Sequence, residues 1–377
     1  MAYAYEWSVK DQSPVLTQEA VEEVKRLVGV PLRRTRNNEQ CTLPAIMAWV
    51  LGIGDINPLY RDEGVGRRSR YGCVIAPPSW LYSVDMTDVA PKLRGIHTIY
   101  AGAEWEWYRV VKLGDEITVS AKLIDVREKK GRFCGNMILQ VGEVTYRNQR
   151  GEVVAQCHPR ILRTPRGEAK ARGKYLGVDT YHYTEHELKA IYNTYEAEKI
   201  CGNEIRYWED THVGDEITPI VKGPLSVVDN LFFCNGANLN PLAFERWLVH
   251  RRRHPADVYV NPETGLLDSP AASVFVDSMA REFGFPSAHD TGIQRIAWLG
   301  SLLTNWMGDD AFLKKMDVDI LLPNIIGDST WCKGKVTGKR VENGKHLVEC
   351  NIWAENERKE VTAKGNAVMM LISKTVY

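Results

Sequence analysis

The hydrophobic pattern of the first 165 residues changes from a helical period to a strand period. Apolar positions first recur every three to four residues, which is typical of helices that bury one face. The third of these segments follows two prolines, which favour a helix start. The predicted helices cover residues 14–29, 42–53 and about 79–89, and a charged, glycine-containing loop covers residues 61–73.

From residue 104 the apolar positions alternate, and glycine-containing turns separate short segments of β-branched and aromatic residues. This pattern predicts an antiparallel meander. Helices followed by strands indicate an α+β fold. The predicted strands cover residues 104–110, 117–127, 132–140, 142–148 and 153–162, with turns at 113–116, 129–131 and 148–152. Trp105 and Trp107 occupy alternate positions of the first strand, so they share one face while Tyr108 points the other way.

The pattern then recurs after a charged, tyrosine-rich linker that contains one helical segment at about 185–199. The motif that follows the second helix, Ile53–Tyr60, aligns with Gly236–Ala243, and the turn Gly114-Asp115 aligns with Gly327-Asp328. Landmarks in a fixed order with variable spacing indicate two copies of one fold. The predicted units are an N-terminal domain (1–165), a linker (166–205) and a C-terminal domain (206–377) with an insertion at about 249–272.

Composition narrows the function classes. The 377 residues are 44% apolar and 25% charged, with a formal net charge of zero, so no long-range attraction to nucleic acid or anionic membrane is expected. Runs such as 67–70 and 251–254 are basic enough to meet an anionic ligand, although most such runs are solvated surface. The eight scattered cysteines predict neither a zinc site nor a disulfide framework. With no signal peptide and no apolar run near ~20 residues, a cytoplasmic protein is expected.

One acid stands out within the first motif. Asp55 lies in an apolar run with Val50, Leu51, Ile53 and Ile56. Burial of an unpaired carboxylate costs several kcal/mol. A functional role for Asp55 is therefore more plausible than a packing role.

These residues resemble the MaoC-type dehydratase, or (R)-specific enoyl-CoA hydratase, family. The signature of that family is Gly-Asp-x-Asn-Pro-Leu-His, and Gly54–Leu59 match it, while Tyr60 stands where the family has histidine. Residues 208–216 also resemble the opening of such a domain. The resemblance implies a tandem (double) hotdog, with antiparallel sheets each wrapped round a long central helix. The implied central helices are Pro78–Val89 and Gly292–Trp306, and the two halves would pack as a pseudo-dimer, with a homodimer as a further possibility.

The resemblance also implies a site that adds or removes water across an enoyl thioester of CoA, with no cofactor besides the substrate's own carrier. Asp55 would be the acid/base, Asn57 would shape the loop, and Tyr60 would act beside them. Backbone N–H groups at a helix start would hold the thioester carbonyl. Because Pro77 and Pro78 have no N–H, only Ala76 and Ser79 can donate there, and Trp80 is a further candidate substrate-binding residue.

Because Tyr60 stands in place of the motif histidine, the motif alone does not decide which reaction is catalysed. The pKa of a tyrosine is near ~10, so Tyr60 is a poor general base but can donate a proton or a hydrogen bond. Three readings follow. Asp55 could act with Tyr60 in a modified hydration or dehydration, or Asp55 could activate water that hydrolyses the thioester. Alternatively, the chain has lost hydration chemistry and does something else on the same scaffold, or only binds. Tyr60 could also be a packing aromatic with a satisfied hydroxyl.

The second copy of the motif has lost its chemistry, since Asn238 and Ala243 replace the acid and the histidine. This half is expected to support the fold and to line the acyl tunnel. His289 precedes Gly292 at the start of the second central helix, a corner that faces the ligand in hotdog folds, so both are candidate substrate-binding residues. His250 and His254 are expected at the surface or near a CoA phosphate.

Overall fold

The computed structural model describes residues 16–34, 37–131, 135–165, 177–239, 247–249, 252 and 258–375. Its helices and antiparallel strands come largely in separate runs, which is an α+β arrangement. The helices are α1 (Gln18–Lys25), α2 (Leu43–Ile53), α3 (Glu63–Arg68), α4 (Leu81–Val84), α5 (Glu185–Glu196), α6 (Val227–Gly236), α7 (Asp277–Glu282) and α8 (Gly292–Met307), with 3-10 turns at Pro58–Tyr60, Pro78–Trp80 and Pro270–Val274.

The strands build one large sheet and a two-stranded ribbon. They are β1 (Pro31–Leu32), β2 (His97–Trp107), β3 (Thr118–Lys130), β4 (Asn136–Arg147), β5 (Val153–Thr164), β6 (Glu216–Lys222), β7 (Tyr259–Val260), β8 (Leu267–Asp268), β9 (Phe312–Ile320), β10 (Thr330–Glu342), β11 (Lys345–Glu355) and β12 (Val361–Met370). The ten-stranded sheet has the order β1-β3-β4-β5-β2-β9-β12-β11-β10-β6, and β7 pairs with β8.

The two halves of the chain meet in the middle of the large sheet, where β2 pairs with β9 in antiparallel register. Ala103 lies opposite Val318, and Trp105 lies opposite Met316. Trp105 and Trp107 are buried on the same face and stack with ring centroids 5.4 Å apart, as their alternate positions predicted. The sheet is therefore continuous across the halves.

The helix predicted at Gly292–Trp306 is present as α8 (Gly292–Met307). Thr291 and Gln294 form a capping box at its start, which satisfies two N–H groups that would otherwise lack partners. Every residue from Ile293 to Met307 is buried. Such a helix needs protein on all sides, and here the sheet and α2 surround it.

The predicted central helix of the first half is wrong in length. It consists of the 3-10 turn Pro78–Trp80 and the four-residue α4, and it ends at Asp85, which is extended (φ −149°, ψ 123°). Asp85 accepts hydrogen bonds from the Arg34 guanidinium at 2.6 and 2.7 Å and from the Thr87 N–H at 2.7 Å. A side chain that caps the next N–H in this way competes with helical hydrogen bonding. The apolar spacing could not reveal this competition.

Helices α2 and α6 stand at equivalent places ahead of the two aligned motifs. Helices α2 and α6 end at the aligned residues Ile53 and Gly236, and they pack against each other. A Cβ at Gly52 would lie 2.8 Å from the Phe232 carbonyl oxygen, and one at Gly236 would lie 2.3 Å from that of Ala48. Only glycine permits this approach.

The two Gly-Asp turns are also equivalent. Gly114 and Gly327 have φ of 92° and 96°. Asp115 Oδ2 accepts the Lys112 N–H at 2.8 Å, and Asp328 Oδ2 accepts the Ile325 N–H at 3.0 Å. Two turns of one geometry at aligned positions support the duplication.

Other boundaries differ from the sequence predictions. The segment from 136 to 147 is one strand, β4, where two were expected, and the short helix α3 lies inside the predicted loop 61–73. The first residues of the predicted helix 14–29 and the second-motif residues 240–243 lie outside the described residues, as do His250 and His254. Within the described ranges, no helix is both long enough and apolar enough to cross a membrane.

Candidate active site

The loop after α2 holds Asp55 in a fixed position. Helix α2 ends at Gly54, whose φ of 64° lies in the left-handed region that favours glycine. Asp55 is 3% exposed, and its Oδ1 accepts the Asn57 N–H at 2.9 Å. Asn57 Oδ1 in turn accepts the Leu59 N–H at 3.0 Å. The two side chains thus cap successive turns of the loop.

The other oxygen of Asp55 is bound by the second half of the chain. Ser301, in the middle of α8, donates its hydroxyl to Asp55 Oδ2 at 2.7 Å. Three residues earlier, Trp298 Nε1 donates to the Ile53 carbonyl at 3.1 Å. The central helix of the C-terminal half therefore closes over the N-terminal motif.

A buried charged cluster supports the same loop. Lys222, on β6, donates from Nζ to the Gly54 carbonyl at 2.7 Å and lies 3.8 Å from Glu198 Oε2. Asn305 Nδ2 donates to Glu198 Oε1 at 2.9 Å. Burial raises the pKa of Glu198, and the Lys222 ammonium opposes that rise. All three supporting residues follow residue 165, so the position of the Asp55 loop depends on the rest of the chain.

Tyr60 is buried beside Asp55. Burial raises the pKa of its hydroxyl well above the usual value, and the charge of Asp55 adds to that rise. A hydrogen bond with Thr304 of α8 opposes it. The Tyr60 hydroxyl therefore keeps its proton at neutral pH and acts as a hydrogen-bond donor.

Tyr60 opens onto a small cavity, which we call the motif cavity. Its volume is about 40 Å³, enough for a water molecule or a small reacting group. Its wall combines the motif, the residues before α4 and the end of α8. The polar residues on this wall are Asn57, Tyr60, Tyr71, Arg109, Thr304 and Asp309. Asp55 is not among the residues that line it and lies behind the motif loop.

The predicted residues at the start of α4 divide into two groups. Ala76 lines the motif cavity, but its N–H donates to the Val111 carbonyl at 2.9 Å, so this N–H is not available to a thioester carbonyl. Ser79 and Trp80 lie in the core: Ser79 Oγ accepts the Trp49 indole at 3.1 Å, and the Trp80 indole donates to the Ala45 carbonyl at 3.3 Å.

His289 and Gly292 line a different cavity at the start of α8, which we call the C-terminal cavity. Its volume is about 500 Å³, and most of its wall is apolar. His289 Nδ1 lies 2.6 Å from the Asp290 carbonyl oxygen, and none of the described residues hydrogen-bonds its Nε2. Burial lowers the pKa of His289 to about 4. The structure therefore separates these two residues from Tyr60.

A basic cleft of about 300 Å³ adjoins the motif cavity, and Tyr71, Arg109, Val110 and Phe312 line both. Four cations line the cleft: Arg70, Arg109, Lys112 and Arg150. All four side chains are exposed. Arg109 lies 3.1 Å from Glu152, while Arg70 belongs to the run 67–70 that the sequence marked as a candidate anion contact.

Sequence reasoning missed the residues that α8 contributes. Thr304 and Asn305 follow Ser301 by three and four positions in the otherwise apolar segment 296–307, so all three share one face. Polar residues on a buried face need partners. This spacing was a signal that the helix meets a polar loop.

Comparisons with known proteins agree with this geometry. The fold is a double hotdog: a solved MaoC-like dehydratase superposes with a TM-score of 0.64 over 93% of this chain and 100% of that one, at 15% identity. A conserved hypothetical protein from Mycobacterium tuberculosis with a double hotdog fold gives a TM-score of 0.56 over 88% of this chain and 92% of that one, at 9% identity. Residues 26–157 match the family model "FAS1-like, dehydratase domain region". The chain is thus similar in fold to MaoC-like dehydratases, and over residues 26–157 it is similar in sequence to a FAS1-like dehydratase domain.

Two curated relatives match at the level of sequence. The "Probable enoyl-CoA hydratase alpha subunit" of Thermomonospora curvata is 30% identical over 159 residues, which is 37% of this chain and 49% of that protein. The 3-oxo-4,17-pregnadiene-20-carboxyl-CoA hydratase alpha subunit of Mycobacterium tuberculosis is 26% identical over 169 residues, 39% of this chain and 51% of that one. The chain thus spans about half the length of these relatives.

Proposed function

We propose that the chain is an acyl-thioester hydratase/dehydratase that adds water to, or removes it from, an enoyl thioester. The observation that carries the proposal is the motif loop, which presents Tyr60 to a water-sized cavity while Asp55 is fixed behind it by Ser301. The match of residues 26–157 to a dehydratase family model supports it. So do the two curated relatives, each described as a hydratase subunit for a CoA thioester.

In this proposal Asp55 acts together with Tyr60. The charge of Asp55 helps to keep the Tyr60 hydroxyl protonated, so this hydroxyl can donate a hydrogen bond to the oxygen that bonds to or leaves Cβ. A donor fixed in place before the reaction stabilises developing charge without reorganisation.

The basic cleft supports CoA as the carrier. A CoA thioester carries phosphate groups at one end and the reacting acyl group at the other. Exposed arginines and a lysine suit phosphate, and the cleft shares Arg109 and Tyr71 with the motif cavity. A substrate that spans the two would place its phosphates in solvent and its thioester beside Tyr60. We propose no further cofactor.

Incubation with crotonyl-CoA and with aryl-substituted enoyl-CoAs tests the proposal. The absorbance of the enoyl thioester and the release of free thiol are followed separately. Loss of the enoyl signal without thiol is the expected result. Release of free thiol would instead indicate a thioester hydrolase. If neither signal changed, the protein would not be an enzyme for these substrates and could only bind acyl thioesters.

A further inference from the structure

Asp309 lies directly after the end of α8, on the wall that faces the motif. Gly308 ends the helix with φ of 81°, and the Asp309 N–H donates to the Gly202 carbonyl at 2.7 Å. Cys201 and Arg206 satisfy the last carbonyls of α8, at Asn305 (2.8 Å) and Trp306 (2.6 Å). The backbone that carries Asp309 is thus held in place by the segment before β6.

The carboxyl group of Asp309 is buried, and one of its oxygens lacks a hydrogen-bond partner among the described residues. The residue is 8% exposed, and the oxygen concerned is Oδ1. A buried carboxylate oxygen without a partner costs stability. Its place beyond the C-terminus of a helix adds to that cost, because this end carries partial negative charge. Unsatisfied buried groups of this kind are often retained for function.

Asp309 lines the same cavity as Tyr60, and its negative charge is one cause of the raised pKa of the Tyr60 hydroxyl. It is the only carboxylate among the described residues on the wall of the motif cavity. Asp55, by contrast, has both oxygens bonded and does not line the cavity. The cavity therefore offers a reacting water one carboxylate acceptor and one phenolic donor.

We infer that Asp309 is the proton-transfer residue of the motif cavity, the role that the motif leaves open where Tyr60 replaces histidine. This inference rests on the proposed hydratase function and deepens it. The residue comes from the second half of the chain, so the active site draws its chemistry from both halves.

The step balances with Asp309 alone. In the hydration direction its carboxylate takes a proton from water as the water oxygen bonds to Cβ. The electrons of the Cα=Cβ bond shift toward the thioester oxygen and give an enolate. The enolate then takes the proton back from Asp309 at Cα. One O–H bond and the Cα=Cβ π bond break, the O–Cβ and H–Cα bonds form, and Asp309 ends as a carboxylate. Tyr60 donates a hydrogen bond to the oxygen throughout.

The ionised form of Asp309 is the active one in both directions. Burial raises the pKa of Asp309 above its ordinary value, and the neighbouring charge of Asp310 adds to this. The other titratable or charged groups around it are Tyr60, Tyr71, Arg109 and Cys201. Activity should therefore rise with pH through the raised pKa of Asp309, which gives an acid limb in kcat/KM.

The test compares Asp309→Asn with Asp310→Asn, a neighbouring carboxylate outside the cavity wall. For Asp309→Asn we expect kcat to fall by about 100-fold or more and the acid limb to vanish. We expect Asp310→Asn to stay within about threefold above the limb and to move the limb to lower pH, since Asp309 loses a repelling neighbour. We also expect Asp309→Asn to melt no lower than wild type, because it removes an unpaired buried charge. An Asp309→Asn enzyme within about threefold of wild type, with its acid limb intact, would overturn the inference.

If no enoyl thioester turns over, the proposed hydratase function is wrong. A binding measurement then still tests the place of Asp309 in the motif cavity. Calorimetric titration compares butyryl-CoA with 3-hydroxybutyryl-CoA, which differ only in the hydroxyl that Asp309 would accept. We expect wild type to prefer the hydroxylated ligand by about tenfold, the effect of one charge-assisted hydrogen bond, and Asp309→Asn to lose this preference. Equal preferences in the two proteins would overturn the assignment.

Discussion

The hydroxyl of Ser301 donates a 2.7 Å hydrogen bond to Oδ2 of Asp55, across 246 positions of sequence. One residue belongs to the motif of the first half and the other to the central helix of the second half. The bond is buried, so the carboxylate has no solvent to replace its partner. Loss of this one hydroxyl should therefore lower the free energy of unfolding of the whole protein by a measurable amount.

We expect Ser301→Ala to lower the free energy of unfolding by about 1–3 kcal/mol, the cost of a buried acceptor without its donor. Ser83→Ala is the matched control, because Ser83 is fully buried but its hydroxyl has no hydrogen-bond partner among the described residues. That variant should lie within about 0.5 kcal/mol of wild type. Urea denaturation gives both values, and equal effects of the two substitutions would contradict the assigned role of Ser301.

Lys222→Met should destabilise the protein by about 3–5 kcal/mol, because it leaves Glu198 buried without its counter-charge. Lys222→Met combined with Glu198→Gln should recover part of that loss. The pKa of Glu198 is raised in the folded protein, so its protonation favours folding. The defect of Lys222→Met should thus shrink as the pH falls from 8 toward 5. Denaturation curves at both pH values check this, and a defect independent of pH would show that the ion pair is not its cause.

Tyr60→Phe should lower kcat by about 100-fold, since it removes the proposed donor to the reacting oxygen. Tyr71→Phe is the control, because Tyr71 lines the same cavity but has no assigned part in the reaction. It should stay within about threefold of wild type. Steady-state rates with crotonyl-CoA are measured for both variants. Similar rates would show that Tyr60 is a packing residue with no part in the reaction.

Arg70→Ala should raise KM for a CoA thioester by about tenfold, which corresponds to one phosphate contact. It should leave KM unchanged for the N-acetylcysteamine thioester of the same acyl group, which has no phosphates. Arg67→Ala is the control, since Arg67 belongs to the same basic run but does not line the basic cleft. An equal rise in KM for both carriers would show that Arg70 does not contact the CoA phosphates.

Acid should destabilise the protein through His289. Burial lowers the pKa of this side chain to about 4 in the folded protein, from an ordinary value of 6.5. Stability from the neutral imidazole is complete above pH ~6.5 and is lost as the pH falls toward ~4, because only the unfolded chain binds the proton. The loss should reach about 2–3 kcal/mol.

His289→Gln should flatten that part of the stability profile, while His158→Gln, on the half-exposed face of β5, should leave it unchanged. Thermal melting between pH 4 and pH 7 separates the two variants. Parallel profiles for wild type and His289→Gln would refute the assignment.

Local patterns predicted those elements whose causes are local. Residues 292–303 have a helical apolar period and lie in α8, and the Gly114 and Gly327 turns followed from a residue pair that fixes its own geometry. The early end of α4 did not follow, because Arg34 holds Asp85 from 51 positions away. Contacts between residues far apart in sequence also explain why half of the candidate site could not be predicted. Asp55 and Tyr60 could be read from one motif, whereas Ser301, Thr304 and Asp309 reach it only through the packing of the two halves.

The contact between α8 and the Asp55 loop also limits which substitutions the second half of the duplicated chain can accept. A copy that has given up its own motif acid would ordinarily be free to drift. Here that copy supplies Ser301 to the acid that remains, and Lys222 to the turn before it. The motif of the first half therefore depends on the second half, and a fragment of the first half alone would lose both contacts.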